Sequence, residues 1–198
     1  MKRKLLIGSA NGNKARELAE LVADLPWTVL SLRDLPEVDA PEETGATFAE
    51  NAELKARYYG DKFDMACIAD DSGLLVDFLN GAPGVLSARY AGEDADDSAN
   101  NQKLLEALEE SLWHERTARF VCCAAFYQPG GEVHLETGEV RGHISVAPFG
   151  SNGFGYDSLF VPDGHEITFA EMSASEKHII SHRGRAFAKM RAWLETCA

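Results

Sequence analysis

The sequence predicts a mixed α/β fold, and three observations carry that expectation. Short apolar runs of strand length, at Leu5-Leu6-Ile7, Val29-Leu30 and residues 66–69, alternate with stretches whose apolar residues recur at helical spacing. Two Ser/Thr-x-x-Glu sequences, Thr47-Phe48-Ala49-Glu50 and Ser173-Ala174-Ser175-Glu176, have the form of helix-opening capping boxes. The second half is richer in strand-like segments and carries a Pro-Gly-Gly turn.

Taken in order, residues 4–9 read as a buried strand that ends in turn chemistry at Asn11-Gly12-Asn13. A helix begins at Lys14, with Leu18, Leu21, Val22 and Leu25 on one face until Pro26 stops the pattern. Val29-Leu30 suggests a second strand. The Thr47 box opens a helix running to about Lys62, on which Asn51 and Lys55 share a face. Residues 66–69 form a short strand ending in the loop Asp70-Asp71-Ser72-Gly73, which sets two carboxylates at a strand terminus. Pro83-Gly84 marks a turn, and residues 98–112 form a helix with Leu104, Leu105, Leu108 and Leu112 as its buried stripe. Residues 118–127 and 133–140 flank Pro129-Gly130-Gly131 as a hairpin, and Gly150, Gly153 and Gly155 loosen the loop before Leu159-Phe160-Val161. The Ser173 box opens one more helix, and residues 184–195 form the last, turning Phe187, Met190 and Leu194 inward. With no internal repeat or linker, the 198 residues are expected to form one domain.

Hydrophobic residues make up 45% and charged residues 26%, which excludes collagen-like and disordered classes. Nineteen Lys and Arg against 32 Asp and Glu give a net charge of −13, which would repel a polyanionic duplex unless the basic residues were strongly segregated, so no nucleic-acid polymer is expected as a partner. A small anion held through a metal ion stays compatible with that charge, because a divalent cation reverses the local sign of a carboxylate-rich pocket. No apolar run reaches the roughly 20 residues that span a bilayer, so no membrane association and a cytoplasmic location are expected. Cys67, Cys122, Cys123 and Cys197 lack the spacing of a zinc or redox motif and read as buried, reduced packing residues. On a strand, the adjacent Cys122 and Cys123 would face opposite sides.

Three clusters could carry chemistry. Ser9-Ala10-Asn11-Gly12-Asn13-Lys14 lies between a strand and a helix, where unpaired N–H groups and a lysine can hold phosphate oxygens; the alternative is a plain tight turn. Neither a Walker loop nor a dinucleotide fingerprint is present. Glu42, Glu43, Glu50, Asp70 and Asp71 are hard oxygen donors suited to Mg²⁺, or a solvated acidic face. Phe154-Gly155-Tyr156-Asp157, Lys177 and Ser181-His182-Arg183-Gly184 offer a stacking ring and hydrogen-bond donors, unless the aromatics pack in the core and the basic pair merely opens a helix.

In order along the chain, the segments Ser-x-Asn-x-x-Lys at 9–14, Glu-Glu-Thr-Gly-x-Thr-Phe-x-Glu-Asn-Ala at 42–52, Asp-Asp-Ser-Gly-Leu at 70–74, Gly-Ala-Pro-Gly-Val-x-Ser-Ala-Arg-Tyr at 81–90, Phe-Gly-Tyr-Asp at 154–157 and Ser-His-Arg-Gly at 181–184 resemble the inosine triphosphate pyrophosphatase family, which hydrolyses noncanonical purine nucleoside triphosphates. The resemblance implies an elongated mixed sheet with flanking helices, forming two lobes around a nucleotide cleft, in a homodimer. It implies Asp71 as the catalytic proton acceptor, with Glu43 and Asp71 as Mg²⁺ ligands. Ser9, Ala10, Asn11, Gly12, Asn13, Lys14 and Lys55 would then hold the triphosphate, and Ser72, Phe154, Gly155, Tyr156, Asp157, Lys177, His182 and Arg183 would line the nucleotide site. Within that resemblance, Asn13 stands where relatives often carry glycine, which matters if the position needs a positive φ. Two other readings stay open: a nucleotide-binding module without turnover, and a pyrophosphatase of the Maf type acting on pyrimidine or methylated nucleotides.

Overall fold

The computed structural model describes residues 3–196. Among them, the strands β1 (Arg3–Ile7), β2 (Trp27–Ser31), β3 (Ala66–Val76), β4 (Thr117–Tyr127), β5 (His134–Ile144) and β6 (Phe160–Pro162) form a sheet in the order β2-β1-β3-β4-β5-β6. β1 runs parallel to β2 and to β3, whereas β5 and β6 are antiparallel, so the sheet is mixed as expected. The helices are α1 (Gly12–Leu21), α2 (Phe48–Phe63), α3 (Asp97–Ala107), α4 (Ala174–Ile180) and α5 (His182–Thr196).

The chain divides into two compact units assembled from interleaved segments. The first takes the chain up to Asp71, then Cys122–Gly138 and the chain from Arg183 onward; the second takes Ser72–Val121 and Glu139–His182. In the first unit, helices cover both sheet faces, so the central parallel strand is a continuous apolar run: Leu5, Leu6 and Ile7 are all fully buried. Leu5, Ile7, Ile68, Cys122 and Ala124 pack with Leu18 and Val22 of α1 and Phe187, Met190 and Leu194 of α5. Each large apolar side chain buried there contributes on the order of 2 kcal/mol of transfer free energy. Leu6 and Cys67 pack with Tyr59 of α2 on the opposite face, and Ala69, Cys123 and Ala125 pack with Ala52 and Ala56. Cys122 and Cys123 therefore do face opposite sides. Cys67, Cys122 and Cys123 are buried free thiols, and burial pushes all three up from the ordinary thiol pKa; Cys197 lies outside the described residues. The second unit has its own core, in which Leu74, Val76, Leu104, Leu108, Phe120, Tyr156, Phe160 and Phe169 are buried.

Both capping boxes form: the Thr47 and Ser173 side chains accept from the N–H groups of Glu50 and Glu176, whose carboxylates reach back to the cap N–H groups. Three of the boundaries that differ from expectation bear on the argument. α1 starts at Gly12, because Asn11 caps it by accepting from the N–H groups of Asn13 and Lys14. α3 stops at Ala107 and leaves Leu112 61% exposed, so the fourth leucine of the expected stripe lies outside the helix and outside the core. The third is the largest: β3 does not end at Ala69 but continues through Asp70-Asp71-Ser72-Gly73 to Val76.

Candidate active site

The continuation of β3 decides the geometry of the acids. β1 ends at Ile7, opposite Ile68, so β3 runs on past its neighbour and carries Asp70 and Asp71 beyond the end of β1. Successive side chains on a strand point to opposite faces. Asp70 follows Ala66 and Ile68 toward α1 and α5, while Asp71 follows Cys67 and Ala69 toward α2. The two carboxylates do not share one loop, and each accepts from a different cation, Arg183 for Asp70 and Lys55 for Asp71.

Asp71, 5% exposed, accepts from Lys55 Nζ at 2.9 Å on Oδ1 and from Asn51 Nδ2 at 3.3 Å on Oδ2. Lys55 also donates to Glu43 Oε1 at 3.0 Å, and Lys14 Nζ lies 3.9 Å from Asp71 Oδ1. Helix spacing explains the convergence, since Asn51 and Lys55 lie one turn apart on the buried face of α2. Asn51 is tied down from its other end, where its Oδ1 accepts from the Gly45 N–H at 2.7 Å. Burial raises the Asp71 pKa more than Lys55 and Lys14 lower it, with Glu43 adding to the rise. Burial opposes the charge on Lys55 as well, but Asp71, Asp70 and Glu43 outweigh it and hold the ammonium above its ordinary pKa.

The segment between β1 and α1 lies beside this cluster. Gly8 donates to the Ile68 carbonyl at 2.8 Å, and a Cβ there would sit 2.8 Å from Cys67 Sγ, so only glycine lets β1 leave the sheet this close to β3. Ser9, Ala10 and Gly12 line a cavity of about 600 Å³ with Arg16, Arg33 and Tyr59. Asn13 sits in the first turn of α1 without a positive φ, so the exchange from glycine costs nothing in backbone strain. Arg33 was not anticipated: a Cβ on Gly12 would meet its Nη2 at 2.8 Å, which places a guanidinium against the start of α1.

On the other face, Asp70 has a fully buried side chain whose Oδ2 accepts from Arg183 Nε at 3.3 Å and Nη2 at 3.2 Å. Arg183 Nη1 donates to Glu17 Oε2 of α1 at 2.5 Å. Burial works against both charges, yet Lys14, Arg183 and Lys55 hold the Asp70 carboxyl well below the usual range, and Asp70 with Glu17 holds the guanidinium well above its own. Arg183 is 2% exposed. Where the resemblance implies a residue lining the nucleotide site, the structure shows a guanidinium engaged by two carboxylates inside the first unit.

In the second unit, Asp157 Oδ2 accepts from Lys177 Nζ at 2.6 Å and from the Phe154 N–H at 2.9 Å, and Lys177 Nζ lies 5.1 Å from the Phe154 ring centre. Gly153 and Gly155 hold positive φ, which shapes the turn that brings Phe154 back over Asp157. Gly155 is fixed at both ends, its N–H donating to Asp97 Oδ2 at 2.7 Å and its carbonyl accepting from Asn101 Nδ2 at 3.0 Å. These two α3 residues were not legible as site residues, because nothing in their local sequence marks a loop more than fifty positions away. Together with Phe154, Gly155 and Asp157 they line a cavity of about 530 Å³. The His182 ring stacks on Phe120 at 4.6 Å. Tyr156 is 4% exposed in the core and donates its hydroxyl to the Ser87 carbonyl at 2.8 Å. Ser72 follows Asp71 on β3 but belongs to the second unit.

Glu43 and Asp71 both direct an oxygen at one cation, Lys55. Two hard oxygen donors of this kind fit Mg²⁺, which keeps several waters and completes its shell on substrate phosphates. No group of three or more His, Cys, Asp or Glu side chains able to hold a metal occurs among the described residues, so these two carboxylates would not by themselves complete the shell of such an ion.

Comparison with known proteins bears on this geometry. The model of the Ham1 family matches residues 5–193. A dITP/XTP pyrophosphatase from Oceanobacillus iheyensis is 45% identical over 98% of this chain and 99% of its own length. One from Geobacter sulfurreducens is 46% identical over 95% and 94%. The structure of the Staphylococcus aureus Ham1 protein superposes with a TM-score of 0.87 at 40% identity, covering 99% of this chain and all of that one.

Proposed function

The chain belongs to the Ham1 family, and from that premise we propose that it hydrolyses noncanonical purine nucleoside triphosphates, ITP, dITP and XTP, to the monophosphate and pyrophosphate. The observation that carries this reading is the meeting of Asp71, Lys55, Lys14 and Glu43 within hydrogen-bond or ion-pair reach, in a chain similar along nearly its whole length to dITP/XTP pyrophosphatases. Water attacks the α-phosphorus, the bond to the bridging oxygen breaks, pyrophosphate leaves and Asp71 takes the proton. Burial suits Asp71 to that task, since a carboxylate with a raised pKa is a stronger proton acceptor. Lys14 and Lys55 offset the charge of the phosphate chain. Glu43 and Asp71 would hold Mg²⁺, whose chemistry is to neutralise and orient phosphate oxygens.

For the base, the reading gives stacking to Phe154 and hydrogen bonding to His182 or a backbone N–H. A 6-keto purine accepts such a bond at O6, whereas the 6-amino group of adenine sets donor against donor, a mismatch worth about four orders of magnitude where the site's polar group is left unpaired. The same reading includes a homodimer in the cytoplasm. A panel of inosine, xanthosine, adenosine, guanosine and pyrimidine triphosphates with Mg²⁺, read by pyrophosphate release, tests the function. Preference for inosine and xanthosine triphosphates supports it, and uniform or absent turnover refutes it.

Two variants separate the roles. Lys14→Ala is expected to raise KM for dITP roughly tenfold while leaving affinity for the nucleoside inosine unchanged, because its charge is aimed at phosphate; equal losses on both would make it a structural lysine. Glu43→Gln is expected to raise the Mg²⁺ concentration needed for half-maximal rate by about tenfold with the dITP to dATP ratio intact. An unchanged Mg²⁺ requirement moves the ligand role to Glu42 or Glu50.

A further inference from the structure

Glu17, Arg183 and Asp70 form a chain of charges that the proposed chemistry does not use. Their side chains are 11%, 3% and 0% exposed, and they come from α1, α5 and β3. A buried ion triad is an expensive way to stabilise a fold, because the cost of removing three charges from water can exceed their attraction, and apolar residues of similar volume often do as well. What the triad supplies beyond packing is direction. Arginine presents a planar fork, and here one edge meets Asp70 Oδ2 through Nε and Nη2 while Nη1 meets Glu17 Oε2. One rigid group thus ties α1 to β3.

The position of that tie matters. Glu17 lies three residues after Lys14, hence on the same side of α1, and Asp70 immediately precedes Asp71. Two rungs therefore join α1 to β3 side by side: Glu17 to Arg183 to Asp70, and Lys14 to Asp71 at 3.9 Å. The first is buried and held by three hydrogen bonds; the second is longer and partly exposed. We propose that Arg183 is a positioning residue that acts through Glu17 and Asp70 to set the segment Ser9–Lys14 against Asp71, and that it does not read the base. This rests on the pyrophosphatase reading for its chemistry, but its central claim concerns phosphate binding and can be measured without turnover.

The test uses the full chain with Glu17→Gln and Arg183→Lys, each of which keeps side-chain length. The probe is inorganic tripolyphosphate with Mg²⁺, titrated by calorimetry, alongside kcat/KM for dITP and dATP and the melting temperature. The expected result is a roughly tenfold weaker Kd for tripolyphosphate in both variants, with the dITP to dATP ratio within about twofold of the parent. Arg183→Gly should be weaker still and regain affinity on addition of guanidinium at low millimolar concentration. If Arg183→Lys does not fold, Glu17→Gln alone carries the test, since it removes the charge from the tie on the α1 side and leaves Arg183 on Asp70. A shrunken dITP to dATP ratio with unchanged tripolyphosphate binding overturns the proposal in favour of base reading. A lower melting temperature with both binding and ratio unchanged overturns it in favour of a purely structural triad. If the parent chain turns over no nucleotide, the proposed function fails while the tripolyphosphate titrations still decide the positioning role.

Discussion

Asp71→Asn is expected to lower kcat for dITP about a thousandfold, in the range that loss of a general base commonly produces, while the melting temperature moves by only a few degrees. The asymmetry follows from the local bonding. Asparagine keeps an oxygen for Lys55 and nearly the same shape, and Lys55 retains Glu43 at 3.0 Å, so the fold loses one charge from a cluster that still contains a pair. The reaction loses its proposed proton acceptor and one of two proposed metal ligands together. Because kcat and KM report different steps, KM should change less than kcat. Near-normal turnover by a folded Asp71→Asn protein would remove Asp71 from the mechanism.

The second large effect is expected from Lys55→Met, and it should appear in stability and activity together. Lys55 is the cation shared by Glu43 and Asp71, and its side chain is 9% exposed. Removing it leaves two acids with Lys14 at 3.9 Å as the remaining nearby ammonium on Asp71, and breaking a buried pair from one side costs about 3 kcal/mol or more. Because the Lys55 pKa is raised in the fold, its contribution is present at neutral pH and is lost only as the pH climbs through that raised value. Activity should fall by about two orders of magnitude or more. The double variant Lys55→Met with Asp71→Asn separates the two consequences: it should recover part of the stability by discharging the orphaned carboxylate, and none of the activity. Stability unaffected by Lys55→Met, measured by denaturant unfolding, would mean that water already screens the cluster.

Much of this arrangement can be read from local sequence. The Thr47 and Ser173 boxes announce their helices because cap and carboxylate are three residues apart and satisfy each other locally. The hairpin around Pro129-Gly130-Gly131 is likewise written in its turn, although β5 runs on to Ile144. Asn51 and Lys55 declare a common face through helical spacing alone, and Asp71 stands out as a carboxylate after an apolar run. What fails is whatever depends on distant partners. Adjacent acids argue against a strand by propensity, so β3 looks finished at Ala69; it continues because Arg183 and Lys55, 113 and 16 positions away, neutralise one acid on each face. Arg183 itself looks like a ligand donor beside His182, and nothing local reveals that its guanidinium meets Glu17, 166 positions earlier. Tyr156 sits among glycines as a stacking ring would, yet its partner Ser87 is 69 positions away in the core.

The alternation of Asp70 and Asp71 across β3 has a consequence for how this stretch tolerates change in length. Along a strand, sidedness is a matter of odd and even. A single codon inserted or deleted between Ala66 and Asp70 would exchange the two acids between faces, handing the carboxylate meant for Lys55 to Arg183 and the reverse, without altering which amino acids are present. Two codons would restore sidedness but displace both acids by about 7 Å along the strand, far beyond reach of their cations. Substitution can tune this segment, but indels cannot. In an alignment of related sequences, a gap of one residue between Ala66 and Asp71 is therefore expected to come with a bulge that restores the sidedness of the two acids.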